Sequence, residues 1–289
     1  MVRSNELSTP FPQQEPPLAE RTVPRDAAAI AAGFRSPPIA EVSLAVVFQP
    51  LALGVLTAVD LWREKFADEF PNVEEQAPLR LPQERFDGLP YSSPHFGIEL
   101  VGTPSLPRLW FTNEKGDELV QVQSDWFARN WREGEGSHEP YPLYEYVRTA
   151  FARDLAKFEA FLTARHLGPL RPIQAEITYI NHIDESDLSQ VLTSLARVEQ
   201  NSEPESVSYG SQHVLMKAQT PIGRLHLQAT NAVHRKRGVI TVLTITARGL
   251  PLGDGIEGAL AFLDTGANEA LSAFVHSTRP EMHQKWSEG

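Results

Sequence analysis

Two hydrophobic periods divide the chain into alternating predicted strands and helices. In some segments apolar side chains recur at every second position, which is typical of strands, and in others at every third or fourth position, which is typical of helices. Residues 39–48 are apolar on nearly every position, as in an interior strand. The predicted strand segments are residues 39–48, 96–102, 108–123, 171–184, 206–219, 223–235 and 238–249.

The predicted helices are bounded by residues that start or stop helices. Pro142 begins a long helix that Gly168 ends, and Asp187 is placed to cap a short one. Gly258 and Gly266 weaken the helical pattern of the last one. The predicted helices cover residues 51–70, 141–166, 188–198 and about 255–276.

Turn residues indicate how neighbouring strands connect. Gly116 can take a positive φ, so residues 108–123 are predicted to form a hairpin whose second arm continues to residue 133. Turns at 221–223 and 236–238 separate the last three strands, which should be antiparallel neighbours. The proline-containing stretch 72–95 is predicted to be one weak strand with loops.

The order of elements repeats once along the chain. Residues 37–168 and 169–289 each read as a strand, a helix, several strands and a long helix. We therefore predict an α+β fold with a large, mostly antiparallel sheet in two similar β-α-β(n)-α halves and helices on one face. This order resembles the duplicated architecture of TATA-binding proteins, a resemblance of fold alone. The alternative is one α+β domain that grips a ligand around a long helix.

The first 36 residues differ in composition from the body of the chain. Prolines are frequent there and large apolar residues are few, so little apolar area offsets the entropy of ordering. We predict that residues 1–36 are a disordered leader, or a proline-rich strap that docks on a partner or on the body itself.

One face of the predicted sheet is polar. Such side chains suit a sheet face exposed to water or a wet binding surface for a peptide or ligand, and the pattern leaves both interpretations open. The residues opposite the apolar set are Gln174, Glu176, Thr178, His226, Gln228, Thr230, Thr244 and Thr246.

Composition and the absence of motifs exclude several classes of function. The chain has no cysteine, which removes disulfides, thiolate nucleophiles and cysteine-ligated metals. With 26 basic against 37 acidic residues the net charge is −11, which makes a nucleic-acid partner unlikely on electrostatic grounds. No apolar run is long enough to span a membrane and no secretory signal is evident, so we expect a cytoplasmic protein. Phosphate-binding loops, a nucleophile elbow and metal-ligand motifs are absent from the sequence; we predict no metal and no cofactor.

A first polar cluster follows residue 125. Arg129, Asn130 and Arg132 lie next to Trp131, and a guanidinium framed by aromatic rings can receive a carboxylate or a stacked ring. The alternative is a strand end whose tryptophans cap the core and whose arginines pair with acidic residues of the long helix.

A second cluster ends the strand that opens the second half. Tyr179, Asn181 and His182 could orient one another for acid–base work, because histidine titrates near neutral pH. A polar strand end that caps the following helix explains the same residues.

Several segments together resemble a sporadically distributed prokaryotic protein family that is functionally uncharacterised. The matching pieces are residues 36–42 (SPPIAEV), the segment LVQVQSDWFARNWRE with the YPLYEYVRTAF that follows, ITYINHI, and Trp286. The resemblance covers about residues 37–289. It implies a full-length cytoplasmic bacterial protein and supplies no catalytic residues.

These observations favour a non-enzymatic binding or assembly module of a bacterial multi-protein system, with a protein or peptide partner and possible homodimerisation through a sheet edge. Replacing Arg129 or Trp131 by Ala is then expected to weaken partner capture with little change in melting temperature. The alternative function is a small-molecule sensor or enzyme with a pocket between the two halves, using Tyr179, Asn181 and His182.

Overall fold

Nine strands in the described part of the chain form one antiparallel sheet. The computed structural model describes residues 25–79, 81–86, 107–134, 141–195 and 207–288. The strands are β1 (Ile39–Phe48), β2 (Asn72–Gln76), β3 (Arg108–Thr112), β4 (Glu118–Gln123), β5 (Trp126–Arg132), β6 (Pro172–Ile183), β7 (Ser208–Lys217), β8 (Thr220–His234) and β9 (Gly238–Gly249). Their order across the sheet is β2-β3-β4-β5-β1-β6-β9-β8-β7.

The described helices differ widely in length. They are α1 (Arg25–Ala32), α2 (Val55–Lys65), α3 (Tyr144–Ala164), α4 (Leu188–Val191), α5 (Gly255–Ser277) and α6 (Pro280–Glu288). The long helix α3 packs on β5 and β1, whereas the long helix α5 packs on β6, β9 and β8. The predicted α+β fold with a large antiparallel sheet is therefore confirmed.

One hydrophobic core lies between the sheet and the helices. Val42, Leu44, Val46 and Phe48 of β1 belong to the same apolar cluster as the buried side chains of α2, α3 and α5. Aromatic rings make much of the contact: the ring of Phe127 in β5 stacks on Phe158 in α3 with centroids 5.4 Å apart. Burial of such rings removes the largest apolar areas from water and so stabilises the fold.

The strand β1 is central because both of its faces are apolar. Nine of its ten positions are apolar or small, and it pairs with β5 on one side and with β6 on the other. A nearly continuous apolar run is typical of a strand that is buried on both faces, whereas a strand with one face in water alternates apolar and polar residues. The expectation of an interior strand at residues 39–48 is confirmed.

Two predicted connections are wrong. The second hairpin arm does not continue to residue 133, because the chain turns at Ser124–Asp125 and returns as β5, antiparallel to β4. Likewise the turn between β7 and β8 lies at Ala218 and Gln219, with φ of 47° and 65°, rather than at residues 221–223. Both turns lack glycine, so the sequence does not signal them.

Gly223, which was predicted to lie in a turn, lies inside β8, where it is needed for close packing. A Cβ atom at this position would meet the ring of Phe262 in α5 at 2.8 Å and the carbonyl oxygen of Arg248 at 2.6 Å. The glycine therefore allows the helix to approach the sheet closely.

The short predicted helix at 188–198 is reduced to α4. Asp187 does cap it, since its carboxylate accepts a hydrogen bond of 2.9 Å from the backbone N–H of Ser189. The predicted strand at 96–102 lies outside the described residues.

Both ends of the described chain contain helices that were not predicted from the sequence, α1 and α6. Within the leader, α1 packs on α5, and Phe34 lies against Phe274 and Trp286. The backbone N–H groups of Arg35 and Ser36 donate to the Trp286 carbonyl oxygen at 2.8 and 3.0 Å. Residues 25–36 are therefore packed on the body rather than disordered, whereas residues 1–24 lie outside the described part.

None of the helices in the described residues combines the length and the apolar character that crossing a membrane requires.

Candidate binding face

The sheet has an open face, which is the side of the strands that points away from α2, α3 and α5. On β1 this face carries Ala45 and Val47. Strand register extends it in rows across the sheet: Gln121, Ala128, Ala45, Glu176, Arg248 and Arg224 form one row, and Asn130, Ser43, Thr178, Thr246, His226 and Gln212 form the next. The eight polar residues that the sequence places opposite the apolar set all lie on this face.

Part of the chain runs across the open face. Leu79 contacts β4, Pro82 contacts β6, and Glu84 contacts β6, β8 and β9. We call Leu79 and residues 81–86 the crossing segment. Leu81 packs on an apolar patch of the open face, formed by Ala45, Val47, Trp126 and Ala128. The crossing segment therefore covers the part of this face that would otherwise expose apolar area to water.

Two glutamine side chains hold the backbone of the crossing segment. The Gln123 amide accepts a hydrogen bond from the Leu79 N–H at 2.8 Å and donates one to the Leu79 carbonyl at 3.0 Å. The Gln174 amide accepts from the Glu84 N–H at 2.9 Å and donates to the Pro82 carbonyl at 3.0 Å. Each glutamine thus satisfies one backbone donor and one backbone acceptor, as a neighbouring strand would.

The Glu84 side chain is fully buried in a cationic site on the open face. Its carboxylate forms an ion pair with Arg224, and His226 Nε2 lies 2.8 Å from Glu84 Oε1. Arg248 Nη1 lies 3.6 Å from the same oxygen and also pairs with Glu176. A buried carboxylate is stable only with such hydrogen-bonded partners, so this site is built for an acidic group.

Arg224 makes two further contacts with the crossing segment. Its Nη2 donates to the Arg85 carbonyl at 2.9 Å, and its guanidinium carbon lies 4.9 Å from the centroid of the Phe86 ring. Burial opposes ionisation of Glu84, but the hydrogen bonds and charges of His226 and Arg224 outweigh it and hold the pKa of Glu84 below its usual value. The carboxylate is therefore ionised at neutral pH.

Beside His226 the open face remains accessible. An open depression of about 330 Å³ is lined by side chains and backbone of Gly210, Ser211, Gln212, His226, Leu227 and Gln228. On the adjoining row the hydroxyl oxygens of Thr178 and Thr246 lie 2.9 Å apart. The cationic site is thus continuous with an exposed polar surface.

The first predicted cluster is divided between the two faces of β5. Arg129 and Trp131 point towards the helices and are almost completely buried, whereas Asn130 lies on the open face. The Asn130 amide donates to Glu41 at 2.5 Å and accepts from Gln121 at 2.7 Å. Arg132 donates through Nε to the Gly116 carbonyl at 2.7 Å.

Arg129 belongs to a buried network of charges. It forms an ion pair with Asp154 of α3, and its Nη2 lies 2.8 Å from Glu118. Its guanidinium also lies 5.3 Å from the Phe70 ring centroid. Asp154 is inaccessible to solvent and is also paired with Arg153 at 2.9 Å and with Lys157 at 3.2 Å. This is the pairing with the long helix that the alternative interpretation of the cluster describes.

The second predicted cluster is also dispersed. Asn181 is buried and donates to the Leu243 carbonyl at 3.0 Å. Burial raises the pKa of Tyr179 to about 12. His182, on the open side of β6, lies 3.3 Å from the guanidinium of Arg237 and 5.8 Å from the ring of His234. These residues therefore do not converge on one reacting atom.

One aromatic residue from each predicted cluster lies on the helix side of the sheet, on either side of β1. Trp131 and Tyr179 flank Val42, on the strands at either side of β1. The Trp131 ring also lies 5.4 Å from that of Tyr141. This aromatic group faces the helices and contributes to the core.

The alternation of the sequence predicts Gln174, Glu176 and His226 as polar-face residues, whereas Glu84, Gln123, Arg224 and Arg248 were not predicted as site residues. One available signal was that period-two alternation places both arginines on a face with few other charges. Glu84 had no such signal, because the loop-like composition of its segment does not indicate where that segment packs.

Comparison with models of known protein families finds no match to this chain, and comparison with curated proteins finds none. Among the described residues no group of three or more histidine, aspartate and glutamate side chains is arranged to hold a metal ion. The resemblance to an uncharacterised prokaryotic family stays a prediction.

As the pH falls, the free energy of unfolding should decrease more steeply in the wild type than in a His182→Gln variant. Burial and the neighbouring Arg237 and His234 lower the pKa of His182 below its ordinary value. The unfolded chain therefore binds a proton at a higher pH than the folded chain, and folding loses stability as the pH falls below about 6.5.

Urea unfolding between pH 7.5 and 5.5 measures this effect. The pH slope should be shallower in His182→Gln, and also in Arg237→Gln, because Arg237 supplies one of the charges that lower this pKa. Parallel curves for all three proteins would contradict the prediction.

Proposed function

We propose that this protein is a non-enzymatic binding and assembly module, which captures an extended segment of a protein partner on the open face. The observation that carries the proposal is the crossing segment, because it demonstrates how this face holds a chain. Gln123 and Gln174 bind backbone groups, which every peptide has. Apolar and cationic positions beside them supply specificity.

The open face extends across both halves of the chain, residues 37–168 and 169–289, which we propose are similar in structure. Reading outwards from the centre, the strand order is β1-β5-β4-β3-β2 on one side and β6-β9-β8-β7 on the other, so four strands on each side correspond and β2 is additional. The long helices α3 and α5 follow β5 and β9 in the chain. We propose that the halves arose as an internal duplication, which places equivalent strands on either side of the β1–β6 pair.

A homodimer through β7 is part of the same proposal. Among the described residues this strand has β8 as its sheet neighbour and ends the sheet. Val214 and Met216 on it are about half exposed. Unpaired backbone groups and apolar side chains on an edge strand favour pairing with a second copy.

The distribution of the candidate acid–base residues gives less support to a sensor or enzyme pocket between the halves. Tyr179 and Asn181 lie on the helix side of β6, whereas His182 points to the open face. Those three residues do not line a common cavity. The binding proposal needs no such convergence.

Selection of peptides from a random display library on the immobilised full chain tests the proposed function. Selected peptides should lose at least tenfold in affinity for a Gln228→Trp variant, because the indole would fill the depression beside His226. A Glu159→Trp variant is the matched control, since this exposed residue lies on α3. No enrichment, or binding that is insensitive to Gln228→Trp, would overturn the proposal.

A further inference from the structure

The crossing segment makes two kinds of contact with the open face: those to its backbone, which any sequence could make, and those to its side chains. The four hydrogen bonds of Gln123 and Gln174 go to backbone atoms, so they fix an extended course and no sequence. One contact that reads a side chain is that of the Phe86 ring with Arg224. The other two are those of Leu81 with the apolar patch and of Glu84 with the cationic site. These two residues are three positions apart.

The cationic site is selective for a carboxylate by charge and by shape. Arg224, His226 and Arg248 surround Glu84, and the neighbouring carboxylate of Glu176 is paired with Arg248. On a chain of net charge −11 this is a local concentration of positive charge. A planar guanidinium binds a carboxylate through directed hydrogen bonds, which a neutral side chain cannot replace.

The open face would be energetically unfavourable without a chain segment bound to it. Withdrawal of the crossing segment would expose Trp126, Val47 and their neighbours, which are now buried. It would also remove the Glu84 carboxylate from the guanidinium groups of Arg224 and Arg248. Because the same surface cannot hold two chains, the chain's own segment and a partner's segment must compete for it.

We infer that the crossing segment is an internal competitor, and that the partner segment is an extended peptide whose carboxylate side chain takes the place of Glu84. This inference rests on the proposed function. The partner segment has an apolar residue three positions before the acidic one, as Leu81 precedes Glu84. Proline is acceptable directly after the apolar residue, because the face uses the carbonyl of Pro82 and needs no N–H there. An aromatic residue two positions after the acidic one, like Phe86, lies beside Arg224.

The test uses a labelled peptide of residues 77–88, APLRLPQERFDG, added to the full chain. A Glu84→Ala variant should bind this peptide at least tenfold more tightly than the wild type, because its own segment no longer fills the cationic site. The same peptide with alanine in place of its glutamate should bind the variant at least tenfold more weakly. Fluorescence anisotropy gives both affinities.

Variants of the receptor locate the binding. Addition of Arg224→Ala to Glu84→Ala should abolish the gain in affinity. Arg235→Ala removes an equal charge from an exposed position in the turn after β8 and should leave the gain intact. If Glu84→Ala does not fold, Glu84→Gln removes the charge with a side chain of the same size.

Equal affinity of the wild type and the Glu84 variant, or binding that does not depend on the peptide's glutamate, would overturn the inference. Display-selected peptides that depend on Gln228 but are insensitive to Glu84→Ala would also overturn it and would leave the proposed function standing. Failure of both peptide sets would remove both proposals.

Discussion

Replacement of Arg129 by methionine should lower the free energy of unfolding by about 3 kcal/mol, because it removes the buried cation paired with Asp154 and leaves this buried carboxylate with the more exposed Arg153 and Lys157. The loss corresponds to a fall in melting temperature on the order of 10 °C. Urea unfolding monitored by tryptophan fluorescence measures it. This expectation replaces the one drawn from the sequence, which was a binding defect with little change in stability.

A second substitution separates the buried charge from the loss of packing. In the double variant Arg129→Met/Asp154→Leu neither of these two charges remains, so the cost should be smaller than that of Arg129→Met alone. Arg132→Met is the control on the same strand: its half-buried side chain bonds a carbonyl oxygen, and its removal should cost about 1 kcal/mol. Equal losses for Arg129→Met and Arg132→Met would contradict the buried-pair account.

Replacement by alanine should destabilise the protein strongly at Gly258 of α5 but only slightly at Gly266 of the same helix. A Cβ at Gly258 would lie 2.0 Å from the carbonyl oxygen of Gly253, a backbone atom that can move only with its loop. A Cβ at Gly266 would lie 3.0 Å from the Ala247 Cβ and 3.1 Å from the Ile177 side chain, so small shifts can accommodate it.

Gly258→Ala should therefore destabilise the protein by about 2 kcal/mol or more, despite the higher helix propensity of alanine. For Gly266→Ala the gain in propensity, about 1 kcal/mol, offsets the tighter contact, and the net change should stay within about 1 kcal/mol. Thermal unfolding of the two variants and the wild type measures both changes in stability. A harmless Gly258→Ala would show that the loop before α5 adapts.

The sequence predicted the elements whose pattern is local. The nearly continuous apolar run over residues 39–48 predicted an interior strand, and alternation over residues 171–184 predicted a half-buried one. The spacing of three or four residues between apolar positions from Val147 to Leu162 predicted α3. In α5 the glycines weakened the helical pattern, but they are needed where the helix approaches a loop and two strands closely. A requirement set by neighbouring elements is not visible in the helix's own sequence.

The candidate site was harder to predict because it depends on contacts between distant residues. Arg129 and Arg224 are both strand arginines, yet one pairs with a helix aspartate under the core and the other with a glutamate 140 residues away on the open face. Alternation indicates which face each occupies, but not which charge meets it there. Polar segments rich in proline, such as residues 77–86, carry no periodic pattern that would indicate their docking.

The central position of β1 has a consequence for synthesis on the ribosome. The strand ends at Phe48, whereas β5 begins at Trp126 and β6 at Pro172, so both of its hydrogen-bonding edges stay unmatched while more than seventy further residues are added, and the β6 edge while more than a hundred are. At about 5–20 residues per second this interval is on the order of 10 s. During it the nascent chain presents an apolar strand with two open edges, the kind of segment that associates with other chains, so its yield in the cell should depend on chaperones that bind such segments.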